Sequence, residues 1–202
     1  MSQTALEAKQ KVQLLLETTP PPVPQPVPYK DGLESGRLRT RFLTLEDIEP
    51  WRDFFTDPLV QELFPPPLLI PGDDHAKTWI ERQLGRYSSG AFGHQALIHK
   101  ATGEFIGMCG LIRQEVDGVA EMEVGYHILK PYRGKGYAPE AARLFINYAF
   151  ESGISNSLIS IISIANQRSQ RVAVKNGLKI EKKTRWRDLD VFIYRIKKTR
   201  RR

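Results

Sequence analysis

AEMEVGYHILKPYRGKGYAPEAARLFINYAFE, residues 120–151, passes through three regimes in a single run. It opens with alternating residues rich in β-branched and aromatic side chains (Val124, Tyr126, Ile128). Arg133-Gly134-Lys135-Gly136-Tyr137-Ala138 follows, and then apolar residues at helical spacing. That order predicts strand, glycine-rich turn, helix. The two glycines allow main-chain angles forbidden to other residues and put no side chain in the way, so consecutive N–H groups can face one ligand. Pro139, just inside the helix start, has no N–H to leave unsatisfied there. Free amides of a first helical turn, the positive end of its dipole and the cations Arg133 and Lys135 together make a site for a phosphate or pyrophosphate. The expected ligand is a phosphorylated cofactor.

Spacing narrows the choice. A dinucleotide fingerprint needs a third glycine where this chain has Pro139, and a nucleoside-triphosphate loop needs a Gly-Lys-Ser/Thr ending that is absent. The pattern that fits is Arg/Gln-x-x-Gly-x-Gly/Ala, met by Arg133 to Ala138. It resembles the acyl-coenzyme A pyrophosphate loop of the GCN5-related N-acetyltransferase (GNAT) superfamily. The bland alternative is a strand-to-helix turn made basic by chance.

The 202 residues, 41% of them apolar, suit one domain with a sizeable core. Cys109 stands alone, which excludes an internal disulfide, and no apolar run approaches a membrane span. No signal peptide is read, so the expectation is a soluble protein of a reducing cytoplasm with no membrane partner.

Ala5, Ala8, Val12, Leu15 and Leu16 predict an amphipathic helix over residues 3–17, and six prolines between Pro20 and Pro28 force extended chain after it. The helix is therefore tethered, to dock on the domain or to pair with another subunit, and both monomer and homodimer stay open. The expected division is 1–32 for helix and linker, 33–198 for the domain and 199–202 for a basic tail. Within the domain, residues 37–42 read as an edge strand. Thr44-Leu-Glu-Asp47 reads as a capping box opening a helix with Ile48, Trp51, Phe54 and Phe55, and a second helix is expected over residues 73–87. Between them the loop from Phe64 to Gly72 is unusually greasy. Three strands follow (91–99, 104–114 and the central one), joined by turns too short for a parallel crossover. The apolar run 157–164 after the helix makes a parallel pair with the central strand. A short helix from about Ser169 to Asn176 ends at Gly177, and strands 178–186 and 191–196 close the chain around a turn at 188–190.

That order is also the order of elements in the GNAT fold. Asn166-Gln-Arg-Ser169, then Ala173, then Gly177-Leu178 resembles the family's Asn-x-x-Ala/Ser, short helix, Gly-Phe. Arg37-Leu38 with Thr44 to Asp47, Gly125-Tyr126 and the Gly-Lys-Gly-Tyr-Ala run are similar to the RimJ/RimL type of ribosomal-protein N-terminal acetyltransferase. The resemblance spans roughly Leu33 to Lys198. It implies an α+β fold with a mixed, mostly antiparallel, twisted sheet of about seven strands, a central parallel pair splayed around acyl-coenzyme A and helices on both faces. It also implies acetyl-coenzyme A as cosubstrate, no metal, and a primary amine acceptor, foremost a protein N-terminus. The matching cofactor positions are Ile128, Leu129, Arg133, Gly134, Lys135, Gly136, Tyr137, Ala138, Asn166 and Ser169.

The departures matter as much. Many members carry a tyrosine seven residues after the asparagine to protonate the leaving thiolate, and here Ala173 stands there. Ser169, one turn earlier, is the hydroxyl left in reach and the expected proton donor. Arg133 replaces the branch's usual aromatic, and Leu178 replaces the Phe.

An attacking amine must be neutral. At pH 7 an α-amine of pKa roughly 8 needs about 1.4 kcal/mol to lose its proton, a lysine of roughly 10.4 about 4.6 kcal/mol, so an N-terminal acceptor asks only for a modest base. Glu123 is the candidate, with Glu121 on the same strand face. The alternative is a solvated carboxylate pair. His127 shares that face and reads equally as structural, while His75, His94 and His99 lack metal-ligand spacing. The family polarises its thioester with a main-chain N–H exposed by a bulge in the fourth strand, here around Tyr126 to Leu129. Asn166 reads equally as a ligand of the pantetheine arm and as a helix cap.

The net charge is +7, and Lys197, Lys198, Arg200, Arg201 and Arg202 supply five positives. A solvated terminus is the default reading, with ribosome or RNA contact the alternative. Two other classes stay open: acetylation of a small-molecule amine (antibiotic, polyamine or amino acid), and an acyl-coenzyme A-binding module without catalysis.

Overall fold

A computed structural model describes residues 29–64 and 74–199. The expected helix over 3–17, the proline segment, most of the greasy loop and residues 200–202 lie outside them. Seven strands form one mixed sheet: β1 (Leu38–Arg41), β2 (His94–His99), β3 (Phe105–Val116), β4 (Val119–Ile128), β5 (Ser157–Ser163), β6 (Lys179–Trp186) and β7 (Leu189–Lys197). Their spatial order is β1-β2-β3-β4-β5-β7-β6. Only β4 and β5 run parallel. The helices are α1 (Ile48–Phe55), α2 (Pro58–Leu63), α3 (His75–Ser88), α4 (Tyr137–Glu151) and α5 (Gln167–Lys175).

Strand alternation sends neighbouring residues to opposite faces, and each face finds its own helices. Leu97, Cys109 and Val124 pack with Phe145, Ile146 and Ala149 of α4. Ala96, Ile98 and Met108 pack with Trp51 and Phe54 of α1 and Ile80 of α3. The Trp51 and Phe54 rings stack at 4.3 Å. A smaller cluster, Val116, Ile159, Val191 and Ile193, fills the sheet's far end.

The parallel pair is bridged at Glu123–Ile159 and parts after it. The Ser160 hydroxyl reaches the Val124 carbonyl at 2.8 Å, a side chain doing what main chain no longer does. The expected bulge in β4 is absent, because its pairing with β3 runs unbroken from Val119 to Ile128. Divergence from β5, not a bulge, opens the cleft.

Three further expectations change. Asp57 accepts the Leu59 N–H at 3.1 Å with Pro58 in the first turn, starting the unanticipated α2. Arg187 and Asp188 have φ of 46° and 65°, a two-residue turn of left-handed residues, so β7 begins at Leu189 rather than 191. At the N-terminal boundary, Tyr29 belongs to the body, not to a linker: its hydroxyl donates to the Gly93 carbonyl at 2.6 Å and its ring packs on Phe92. Lys197 pairs with Ser157 in the sheet, and the Lys198 N–H bonds the Asn156 carbonyl at 2.9 Å, so neither lysine is tail. Among the described residues no helix is long and apolar enough to cross a membrane, and no cluster of His, Cys, Asp or Glu is arranged to hold a metal ion.

Candidate active site

The turn before α4 has the geometry its glycines allow. Gly134 (φ 78°) and Gly136 (φ 83°) are left-handed, and Gly136 is the residue from which α4 starts. A Cβ at Gly136 would meet Arg37 Nη2 at 3.4 Å. Arg37 braces the turn: it donates to the Lys135 carbonyl at 3.0 Å and to Glu140 at 2.7 Å, and lies 4.5 Å over the Tyr137 ring. A helix leaves its first amides without internal partners, and Pro139 has none to lose, so the N–H groups of residues 134–138 are offered outward.

The expected cations behave differently. Arg133 turns back, donating to the Ile128 carbonyl at 2.8 Å and pairing with Asp57, so its charge is spent on α2 and not on the turn. Burial alone would raise the Asp57 carboxyl, but the Leu59 amide and Arg133 outweigh it and hold the group below its ordinary range. The Lys135 ammonium lies 5.6 Å from the Tyr132 ring. Leu129 is also not at the site, since its N–H bonds the Ile106 carbonyl at 3.0 Å and its side chain is in the core beside α1. Arg133 still lines the cavity beside the turn, but its ion pair is with Asp57, and α5 adds three further cations. Arg168, Arg171 and Lys175 line, with Ile128, Gly134, Gly136, Tyr137 and Ala138, a cavity of about 570 Å³. Their spacing of three and four on one short helix was the signal for them.

A second cavity, of about 470 Å³, reaches the cleft between β4 and β5. The two share Leu63, Phe64, Tyr126, His127, Asn166 and Ser169, so they meet at one junction. There Ser169 Oγ donates to Tyr126 Oη at 3.0 Å, and Tyr126 Oη donates to the Ser169 carbonyl at 3.0 Å. Burial raises the Tyr126 phenol, so it stays protonated at neutral pH. Ala173 is buried in the core, so the hydroxyls at the junction are those of Tyr126 and Ser169. Asn166 is the cap of α5, its Oδ1 accepting the Ser169 N–H at 3.0 Å.

The acids on β4 separate. Glu121 is held by Arg195 through bonds of 2.6 and 2.9 Å, and Arg195 also holds Glu181, so Glu121 is a sheet-spanning ion pair. Glu123 lines the second cavity. Burial raises its pKa, only partly countered by bonds from Gln114 at 2.8 Å and the Ile161 N–H at 3.3 Å. Two imidazoles stand nearby. Burial lowers His127 to about 4, and His94 is lowered well below its ordinary value by burial and by His127. Both are neutral at pH 7, with ring centroids 4.8 Å apart. A side chain at Gly125 would come within 2.7 Å of His94 Nε2, so a glycine there makes room for this imidazole.

Main-chain donors complete the junction. The Leu129 N–H pairs toward β3, while the Val124 and Ile128 carbonyls receive Ser160 and Arg133 on the other edge. Alternation therefore turns the N–H groups of Tyr126 and Ile128 toward β5, beyond the point where the strands part.

The two cavities and the outward amides form one continuous site, and comparison with known proteins gives its family. The family described as acetyltransferase (GNAT) domain matches residues 37–179. The chain is 36% identical over 98 residues to the uncharacterized protein YkkB of Bacillus subtilis, an alignment covering 48% of this chain and 57% of YkkB. It is 29% identical over 180 residues to the uncharacterized N-acetyltransferase p20 of Bacillus licheniformis, covering 83% of this chain and 97% of p20. Among solved structures it superposes on RimL, a ribosomal L7/L12 alpha-N-protein acetyltransferase in complex with coenzyme A. That match has a TM-score of 0.69 at 13% identity, over 83% of this chain and 98% of the other.

Proposed function

Because this chain belongs to the GNAT acetyltransferase domain family, we propose that it moves an acetyl group from acetyl-coenzyme A to a primary amine, foremost a protein N-terminal α-amine of the ribosomal-protein type. The observation that carries this reading is the junction at Tyr126, His127, Asn166 and Ser169. Two cavities meet there, one floored by outward amides and cations, the other holding a buried carboxylate.

Acetyl-coenzyme A, when bound, supplies the activated acetyl thioester. The N–H groups of residues 134–138, with Arg168, Arg171 and Lys175, hold its phosphates. The Tyr126 and Ile128 amides are preorganised donors for developing negative charge on a carbonyl oxygen. Glu123 takes the proton of the acceptor ammonium, directly or through water, and burial, by raising its pKa, makes it a stronger base than an exposed carboxylate. The Tyr126–Ser169 hydroxyl pair keeps a proton at the junction for a departing thiolate.

An N-terminal acceptor is favoured by the modest base it requires and by the resemblance in residues 37–47 and 125–138. A polycation is disfavoured, because Arg82, Arg86 and Arg187 line the second cavity against the single acid Glu123. A screen of N-terminal peptides, polyamines and aminoglycosides with acetyl-coenzyme A, read by thiol release, tests this. Release with peptides is expected. Release with polyamines or aminoglycosides alone overturns the acceptor, and release with no amine leaves a binding module.

A further inference from the structure

The second cavity is built asymmetrically. Its sole carboxylate, Glu123, is deep and close to the junction, whereas Arg82 and Arg86 of α3 and Arg187 of the β6–β7 turn bring three guanidinium groups to the same space. No described acid forms an ion pair with any of the three. Arg82 is exposed, and the other two are held in place even so. Arg86 donates to Gln83 Oε1 at 2.9 Å, and that same oxygen, on a fully buried side chain, accepts the His94 N–H at 2.9 Å. Arg187 lies 4.5 Å over the Trp186 ring, whose N–H is fixed on the Glu115 carbonyl at 3.1 Å. Arg187 also takes a left-handed backbone, φ 46°, uncommon for a residue with a side chain. Burial, Arg82 and Arg187 push the Arg86 guanidinium down from its usual range, and the opposing pull of Glu123 only partly offsets them. Placing like charges together in a half-enclosed cavity is unfavourable unless an anion completes it, and planar guanidinium forks match a carboxylate best.

We propose that Arg82, Arg86 and Arg187 form an anion-recognition subsite, and that the acceptor is an amine bearing a carboxylate close to the reacting nitrogen. This deepens the function proposed above and rests on it. An acidic residue at position one or two of an N-terminus meets that description, and so does a free amino acid.

The test compares peptides beginning with Asp or Glu with the same peptides beginning with Asn or Gln, and with free aspartate and glutamate. Thiol release is measured for the native chain, Arg86→Gln and Arg187→Gln, and calorimetry measures binding of the N-acetylated product peptides in the presence of coenzyme A. The native chain should prefer acidic peptides or amino acids by at least tenfold in kcat/KM. Each substitution should remove most of that preference through KM, with coenzyme A affinity unchanged, and should weaken acidic product peptides and not their amide partners. Response to free amino acids alone would assign the carboxylate to the α-carboxyl. Equal handling of acidic and amide acceptors by the native chain overturns the subsite. Absence of thiol release with Arg86-dependent binding of acidic peptides overturns the transfer reaction and upholds the subsite.

Discussion

Tyr126 shows what a single residue can hide. In the sequence it belongs to the Gly125-Tyr126 resemblance and to the main-chain positions of 126–129, but nothing local singles out its hydroxyl. Only the divergence of β4 from β5 brings its hydroxyl to Ser169, residues separated by 43 positions. Ser169 was legible because it sits in a recognisable motif, and Glu123 because strand alternation put it beside the expected thioester. The split between Glu123 and Glu121 was not legible, since it depends on Arg195 crossing from β7. Tyr126→Phe is expected to lower turnover by about 10²-fold, the low end for a proton donor, while leaving coenzyme A affinity unchanged. Ser169→Ala should cost less, since the phenol remains. Single-turnover kinetics with calorimetry checks both, and native turnover in Tyr126→Phe would remove the phenol from the chemistry. For Glu123 the pH profile is the measure. Its carboxyl loses a proton only above the ordinary carboxylate range, so kcat/KM rises with pH through that raised value and again through the acceptor's own pKa of roughly 8. Glu123→Gln should abolish the first rise and keep the second. Stability runs the other way: between the ordinary and raised values the native state holds the extra proton, so the native chain loses stability as pH rises through that window, and the glutamine variant does not.

At the scale of elements, long periodic segments were readable and short capped ones were not. The strand, turn and helix around Gly134 and Gly136 follow from alternation, left-handed glycines and 3.6-residue spacing, all local properties. The six-residue α2 has no room for periodicity, and its start at Asp57-Pro58 is a capping signal without a following pattern. The partner of Arg133 is on α2, so the sequence alone does not show that this arginine is ion-paired. Two substitutions three residues apart separate pairing from phosphate binding. Arg133→Met leaves the Asp57 carboxylate nearly buried and unpaired, a loss of about 3 kcal/mol. That corresponds to a melting midpoint lower by roughly 6–12 °C. Coenzyme A affinity of the folded protein should change little. Gly136→Val forces a branched side chain onto a left-handed backbone beside Arg37 and should weaken coenzyme A at least tenfold, about 1.4 kcal/mol. Thermal melts and calorimetry on both variants separate the two roles. Equal loss of affinity in Arg133→Met would return the arginine to the phosphate site.

At the scale of the whole molecule, the sheet is two antiparallel sections, β1 to β4 and β5 to β7, joined by one parallel bridge. The cleft is the consequence of joining them so sparingly. A net charge of +7 is distributed over this body with purpose in several places: α5 beside the glycine turn, the three arginines of the second cavity, and the sheet lysines 197 and 198. With Lys197 at the end of β7 and Lys198 bonded to Asn156, the terminal charge is Arg200, Arg201 and Arg202 alone. A truncation beginning at Lys197 would strip the pairing of Ser157 with Lys197 and the Lys198 contact to Asn156, confounding charge with folding. Removing residues 200–202 avoids this. If those arginines attract ribosomal RNA, each phosphate contact contributes about 0.7 to the slope of log affinity against log salt on a single strand, so the truncated chain should show a slope shallower by about two. Turnover on a short peptide should be unchanged, because no described residue after Val191 lines either cavity. Association measured across a salt series, alongside peptide turnover, checks the prediction. Unaltered slope with reduced peptide turnover would assign the terminal arginines to the acceptor cleft, where they would add to the positive charge already gathered by Arg82, Arg86 and Arg187.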